Sequence, residues 1–272
     1  MRRYLSIIIL GLSVGLQAAE VKPKPYEVSE AEFAAGQTPN ALLLHAVLND
    51  DGTMFADALF RGASPNICRG QDKNSVLHYA AQHTTIPTFV EWLLAHKADV
   101  NERNAISQTP LMAAAAKGSG VITECLLKHK ADPLLVDDHN NPALTNAVWF
   151  GNVFTLKHFM SDDLINRPYG EQNNTALIIA SSRGYADIVS TLLTRKADPF
   201  IRNKDGKSAL DCACEKAPKA KREEVLRYTL IAKELGNYTH YSREIYKATE
   251  LKKYITRDPA NIVASYLVYK EY

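Results

Sequence analysis

Eight histidines and four cysteines are the side chains of this 272-residue sequence with most scope for metal or nucleophilic chemistry. Only His139, in the run Asp137-Asp138-His139-Asn140-Asn141, stands beside carboxylates at a predicted turn. A metal needs ligands that converge on one point, whereas a turn splays its side chains outward, so the run predicts an exposed tip. Cys212-Ala213-Cys214 lacks the two-residue spacer of a redox or zinc pair, and on a helix its thiols face different ways. Cys68 and Cys125 lie in separate stretches, so the four are expected as packing residues or free thiols. No Gly-x-Ser-x-Gly elbow, phosphate-cradling glycine loop or His-Glu-x-x-His run occurs. The expectation is no cofactor, no metal and no catalysis.

The ends of the chain bear on where it acts. Arg2 and Arg3 precede an apolar run over residues 4–16, followed by Ala18 and Ala19, which is the order of a secretory signal peptide covering residues 1–19. That run holds 13 residues, against about 20 for a spanning helix, so no membrane span is expected after its removal. The predicted location is secreted or periplasmic. Formal charge is only +2, and the tail from Lys216 onward has 12 Lys/Arg against 7 Asp/Glu, leaving a mildly acidic body. Neither imbalance has the dense basic runs that nucleic-acid binding uses. Asn173-Asn174-Thr175 and Asn237-Tyr238-Thr239 fit a glycosylation pattern that matters only in a eukaryotic host.

What must position any functional residue is a repeat. His45, His78, Met112, Thr145, Ile178 and Asp211 are equivalent, at spacings of 33, 34, 33, 33 and 33. One residue earlier stand Leu44, Leu77, Leu111, Leu144, Leu177 and Leu210, a ladder that stacking would bury. Two residues later come Ala80, Ala114, Ala147, Ala180 and Ala213, with Val47 the exception. Thr109-Pro110 supplies a cap and a first helical residue, and Gly118, Gly151 and Gly184 close the first helix of their units. Second helices with Leu93-Leu94, Leu126-Leu127 and Leu192-Leu193 end in basic residues followed by Ala-Asp. Pro142-Ala143-Leu144-Thr145 and Leu164-Ile165-Asn166 predict an irregular second helix in the fourth unit, with Asn141 as cap. Pro87 and an extra residue predict a bulged start in the second, and Asp211 a water-facing group in the sixth.

With Ser75-Val76-Leu77-His78-Tyr79-Ala80-Ala81 and Thr109 through Ala115, this sequence closely resembles the ankyrin repeat. The resemblance covers about residues 37–216 in six units, beginning near residues 37, 70, 104, 137, 170 and 203. It implies an all-α solenoid of helix-turn-helix repeats joined by β-hairpin-like fingers, with a concave face of first helices and finger tips. Residues 20–36 are expected as an exposed leader with a short helix over 29–35. Residues 217–272, with eight of the 13 tyrosines, are expected as a helical extension that is either a cap on the last repeat or a Tyr-rich partner surface, with an amphipathic helix through Val225, Leu226, Thr229, Leu230, Ala232 and Lys233 and further helices over 242–255 and 259–269.

Function is then expected from recognition by a monomeric scaffold. Carried over from the family, the variable positions are Gln71, Asp72, Asn74, Gln82 and His83 in the second unit, and Ala105, Ile106, Gln108, Ala116 and Lys117 in the third. The fourth offers Asp138, His139, Asn141, Trp149 and Phe150, and the fifth Glu171, Gln172, Asn174, Ser182 and Arg183. Trp149-Phe150 is the foremost candidate, because two bulky aromatics stand where the family shows solvent-facing residues. The expected partner is a protein. Alternatives are an exported effector or toxin inhibitor and, from another class, an enzyme with His240 in its Tyr-rich tail.

Overall fold

The computed structural model describes residues 26–36, 38–84 and 86–216, together with residues 227, 230, 231, 234 and 235. The signal-peptide segment, Tyr238 and His240, and the helices expected over 242–255 and 259–269 lie outside these described residues.

The fold is mostly helical, built as helix pairs. These are α2 (Pro39–Leu48) with α3 (Gly52–Phe60), α4 (Val76–His83) with α5 (Pro87–Ala95), α6 (Pro110–Lys117) with α7 (Gly120–Lys128), and α11 (Ala176–Arg183) with α12 (Ala186–Thr194). The fourth pair is α8 (Ala143–Trp149) and a short α9 (Val153–Leu156), which continues as a 3-10 turn (Lys157–Phe159) before α10 (Asp162–Ile165). The first helix of the sixth unit is α13 (Ala209–Lys216). The first helices pack side by side in chain order, α2 on α4, α4 on α6, α6 on α8, α8 on α11 and α11 on α13.

Local chemistry sets the helix ends. Thr109 Oγ1 accepts the Met112 amide at 3.4 Å, Pro110 fills the first helical position, and Gly118 leaves α6 at φ 84°. Thr175 and Gly184 do the same for α11. In the fourth unit Pro142, not Asn141, is the cap, and it has no side-chain capping bond. The proline has no hydroxyl or carboxylate to offer the first turn. Its carbonyl instead accepts from Thr145 Oγ1 at 2.8 Å and from Asn146 Nδ2 at 3.2 Å. Pro87 starts α5 and does not sit inside it, so the extra residue is absorbed in the link after Thr84. The second helix of the fourth unit is broken as its sequence predicts.

The leucine ladder is the core. Leu44, Leu77, Leu111, Leu144 and Leu177 are buried, as are the alanines at 80, 114, 147, 180 and 213, three residues after the ladder position. Each such leucine contributes roughly 1.5–3 kcal/mol relative to exposure, and the alanines let neighbouring helices approach. Leu210, on the last described helix of the stack, is only half-buried. Beyond it Ile231 and Leu235, one helical turn apart, are buried in the same core. The apolar stripe of the tail helix therefore runs through these two residues, while Leu230 of the expected set is half-buried.

The described part of the N-terminal leader, residues 26–36, is docked on the first repeat and not exposed. Strand β1 (Tyr26–Val28) lies parallel to β2 (Ile67–Arg69), which pairs antiparallel with β3 (Asn74–Ser75) in the first finger. Val28 is buried, and α1 (Glu30–Ala35) packs on α2. Phe33 stacks on His45 at 4.1 Å, Arg69 lies 3.5 Å over the Phe33 ring, and His45 Nε2 meets the Phe33 carbonyl at 2.8 Å. His45 thus holds the leader helix and has a different task from its equivalent His78.

Neighbouring repeats clasp one another at the turn between their helices. Asn152 Nδ2 donates to the carbonyls of Ala115 and Ala116 at 2.9 and 2.6 Å, and a Cβ at Gly118 would stand 2.7 Å from Asn152 Oδ1. Gly206 shares the positive φ, 73° against 84°, but has nothing within 4 Å of its Cβ position. Both Gly→Ala variants meet the left-handed cost of about 1–2 kcal/mol. Gly118→Ala also displaces Asn152 from two helix-end carbonyls, and we expect it to cost about 1–2 kcal/mol more than Gly206→Ala in urea denaturation. Equal costs would show that the clasp contributes nothing.

Candidate protein-binding surface

Two rows of side chains run across the stack, each positioned by a repeated element. The finger tips form the first. Asn104, Asp137 and Asn203 each turn a finger by accepting two amides: Asp137 Oδ1 takes those of His139 and Asn141 at 3.0 and 2.9 Å. The tips are joined by main-chain bonds, Ala105 N to Asp72 O at 2.8 Å, Asp138 N to Ile106 O at 3.2 Å and Lys204 N to Gln172 O at 3.0 Å. Between the fourth and fifth tips the bond shifts by one residue, to Gly170 N and Asn140 O at 3.1 Å.

Asp138 and His139 are exposed on this row. The Asp137 carboxylate beside them is occupied by the turn, and among the described residues no group of three or more His, Cys, Asp or Glu could hold a metal ion. Asn174 is turned to the stack, its Oδ1 accepting Asn203 Nδ2 at 2.9 Å, and Asn74 receives Asn104 Nδ2 at 2.8 Å in the same way. Asn141 is half-buried, with its Oδ1 3.3 Å from the Cβ position of Gly170.

The second row lies at the last turn of the first helices. It brings together Gln82 and His83, Ala116 and Lys117, Trp149 and Phe150, and Ser182 and Arg183. His83, Lys117 and Arg183 are exposed, and Gln82 is half-buried. Trp149 and Phe150 expose 51% and 58% of their surface. The Arg183 guanidinium lies 3.6 Å above the Trp149 ring, so one face of the indole is covered from the next repeat. Sequence reasoning missed two neighbours: Val121 and Phe154, 33 apart at the start of α7 and α9, expose 61% and 82%. The signal available was the contrast with Asp187, the polar residue at the same position one repeat later.

His45, His78, His96 and His129 hold backbone groups in place. Ser75 donates its amide and hydroxyl to His78 Nδ1, at 3.2 and 2.7 Å, which leaves Nε2–H to donate to the Gln108 carbonyl at 2.9 Å. Asp211 repeats half of this arrangement, its Oδ2 accepting the Ser208 amide and hydroxyl at 2.9 and 2.8 Å. It is exposed, as expected, but it also closes a helix cap. Although partial burial acts to raise Asp211, the bonds from Ser208 and Arg202 hold its carboxyl below the usual range. His96 and His129 meet the carbonyls of Trp92 and Cys125 at helix ends, at 3.0 and 2.9 Å. The four cysteines are free thiols, and burial pushes Cys125, Cys212 and Cys214 up.

Burial pushes His78 down to about 4, against the bond to Gln108, which favours the charged ring. A histidine depressed in the folded state protonates first in the unfolded chain. Its stabilising contribution is therefore complete above about pH 6.5 and is lost as the pH falls toward 4. The span corresponds to a change on the order of 3 kcal/mol. We expect His78→Gln to flatten the fall of the urea midpoint between pH 6.5 and 4; an unchanged slope would assign it to other groups.

The family model described as Ankyrin repeats (3 copies) matches residues 43–137, 77–167 and 144–238. Mouse NF-kappa-B inhibitor alpha is 33% identical over 137 residues, 47% of this chain and 44% of that protein. The mitochondrial disaggregase of Bos taurus is 30% identical over 146 residues, 53% of this chain and 21% of that protein. The palmitoyltransferase AKR1 of Lachancea kluyveri is 29% identical over 140 residues, 50% of this chain and 19% of its own length. The chain thus spans less than half of each of these relatives. The solved ankyrin repeat domain of Bcl-3 superposes with a TM-score of 0.58 at 22% identity, over 74% of this chain and 87% of that one, a likeness of fold.

Proposed function

Since this chain belongs to the ankyrin-repeat family, we propose that it is a scaffold that binds another protein through the concave face and finger loops, by stoichiometric contact and without catalysis. The observation that carries the reading is the exposed Trp149-Phe150 pair on the last turn of α8, where uncovered aromatic area is costly unless a partner covers it. A relative named as an inhibitor of another protein is in keeping with action by binding. The order of residues 1–19 supports action outside the cytoplasm, in the periplasm or beyond the cell. Among the described residues no helix is long and apolar enough to cross a membrane.

The test is affinity capture with the full-length tagged chain from the envelope and secreted fractions of the producing cell, followed by reconstitution of the complex from purified components. A defined stoichiometric complex, together with a mature N-terminus at residue 20, is the expected result. Turnover of a substrate by the chain, traced to His240 or the Tyr-rich tail, would replace the scaffold reading with an enzymatic one.

A further inference from the structure

The end residues of α6, α11 and α13 are Lys117, Arg183 and Lys216, and the residue in register between the first two is Phe150. All four are exposed, and they succeed one another every 33 residues along helices that pack side by side. Packed helices stand about 10 Å apart, so three cations and one aromatic ring mark an edge about 30 Å long. Trp149, Phe154 and Val121 are exposed at the inter-helix turns of the third and fourth units, which Asn152 clasps together.

Cations at helix ends complement the helix dipole, and that accounts for each one singly. It does not account for four exposed apolar side chains gathered in their midst. Among the described residues no carboxylate forms a salt bridge with Lys117, Arg183 or Lys216. Nearby acids are otherwise engaged: Glu215 with Lys207 at 2.5 Å, and Asp50, at the far end of the row, with Thr84. Asp187, exposed four residues after Arg183, accepts the Ile188 amide.

We infer that this edge binds an extended acidic segment of a protein partner, with two carboxylates flanking one bulky apolar side chain. The inference rests on the scaffold reading and adds to it the chemistry of what is bound. Its spacing follows from geometry. An extended chain advances about 3.3 Å per residue, so about three residues span one repeat. The segment places a Glu or Asp against Lys117, a Leu, Phe or Trp on Phe150 and Phe154 three residues on, and a second acid against Arg183 after three more. Lys216 extends the preference toward further acids on that side.

The experiment is selection of a displayed library of random 12-residue peptides on the full-length chain, followed by anisotropy titration of the recovered peptides with fluorescein labels. The expected winners share two acidic residues about six positions apart with an apolar residue midway. Lys117→Glu with Arg183→Glu should weaken them at least tenfold while lowering the melting temperature by only a few degrees, the cost of acids at two helix C-termini, and peptides with Lys in place of the acids should regain affinity for that double variant. Winners without acidic residues, or acidic winners indifferent to the charge reversal, overturn the assignment of the edge while leaving the scaffold reading standing. Recovery of no peptide of any composition counts against both. A 12-nucleotide single-stranded DNA that displaces the peptide with equal affinity would also overturn it, by showing that the edge reads phosphate charge.

Discussion

Leu144→Ala is expected to lower the free energy of unfolding by about 3–4 kcal/mol, the larger part of the range for buried leucines whose surroundings cannot collapse. Leu144 is fully buried on α8, between α6 and α11, with Leu111 and Leu177 on the ladder to either side. Both flanking helices are held by their own neighbours, so the vacated volume persists as a cavity. At about 2–4 °C per kcal/mol for a chain of this size, the melting temperature should fall by roughly 10 °C. Leu210→Ala, at the half-buried end of the ladder, should cost about 1 kcal/mol. Urea denaturation of the two variants side by side is the check. Equal costs would mean that the leucines are separate contacts and not one core.

Trp149→Ala with Phe150→Ala is expected to abolish partner capture while leaving circular dichroism and melting temperature nearly unchanged. Central aromatic anchors of an interface cost about 2 kcal/mol or more apiece on truncation, so the pair should weaken binding by roughly a thousandfold. Inside the chain the loss is small. The described contact of Trp149 is the guanidinium of Arg183, at an exposed site where such a contact is worth about 0.5–1 kcal/mol. Isothermal titration with the purified partner measures the first quantity and thermal melting the second. A drop in melting temperature comparable with that of Leu144→Ala would place the pair in the core and remove the ground for the scaffold reading.

Much of this fold was legible in the sequence because its information is local and repeated. Thr109, Pro110 and Gly118 each act within one helix turn of themselves, and the leucine ladder declares itself by spacing alone. What escaped depends on contacts between distant residues. The pairing of Tyr26–Val28 with Ile67–Arg69 joins segments about forty residues apart, and three strand residues have no periodicity to announce it. Pro142 displaced Asn141 as cap because a rule about residue type cannot see which backbone turns first. On the binding surface, exposure at Trp149 and Phe150 followed from repeat position, but the Arg183 lid on Trp149 crosses between repeats. Phe154 was missed because an apolar residue opening a helix reads as core until the helix proves only four residues long.

That short α9 has a mechanical consequence. Units that touch only their neighbours behave as links in a chain, each as firm as its two couplings. Repeats one to three have full-length outer helices and so does the fifth, whereas the fourth has one turn of α-helix followed by a tighter 3-10 turn. The outer side of the stack is thinnest there, and a row of dominoes tilts where one piece is thin. Trp149 and Phe150 stand beside that joint, so a partner held through the proposed face would lie next to the shortest outer helix of the stack.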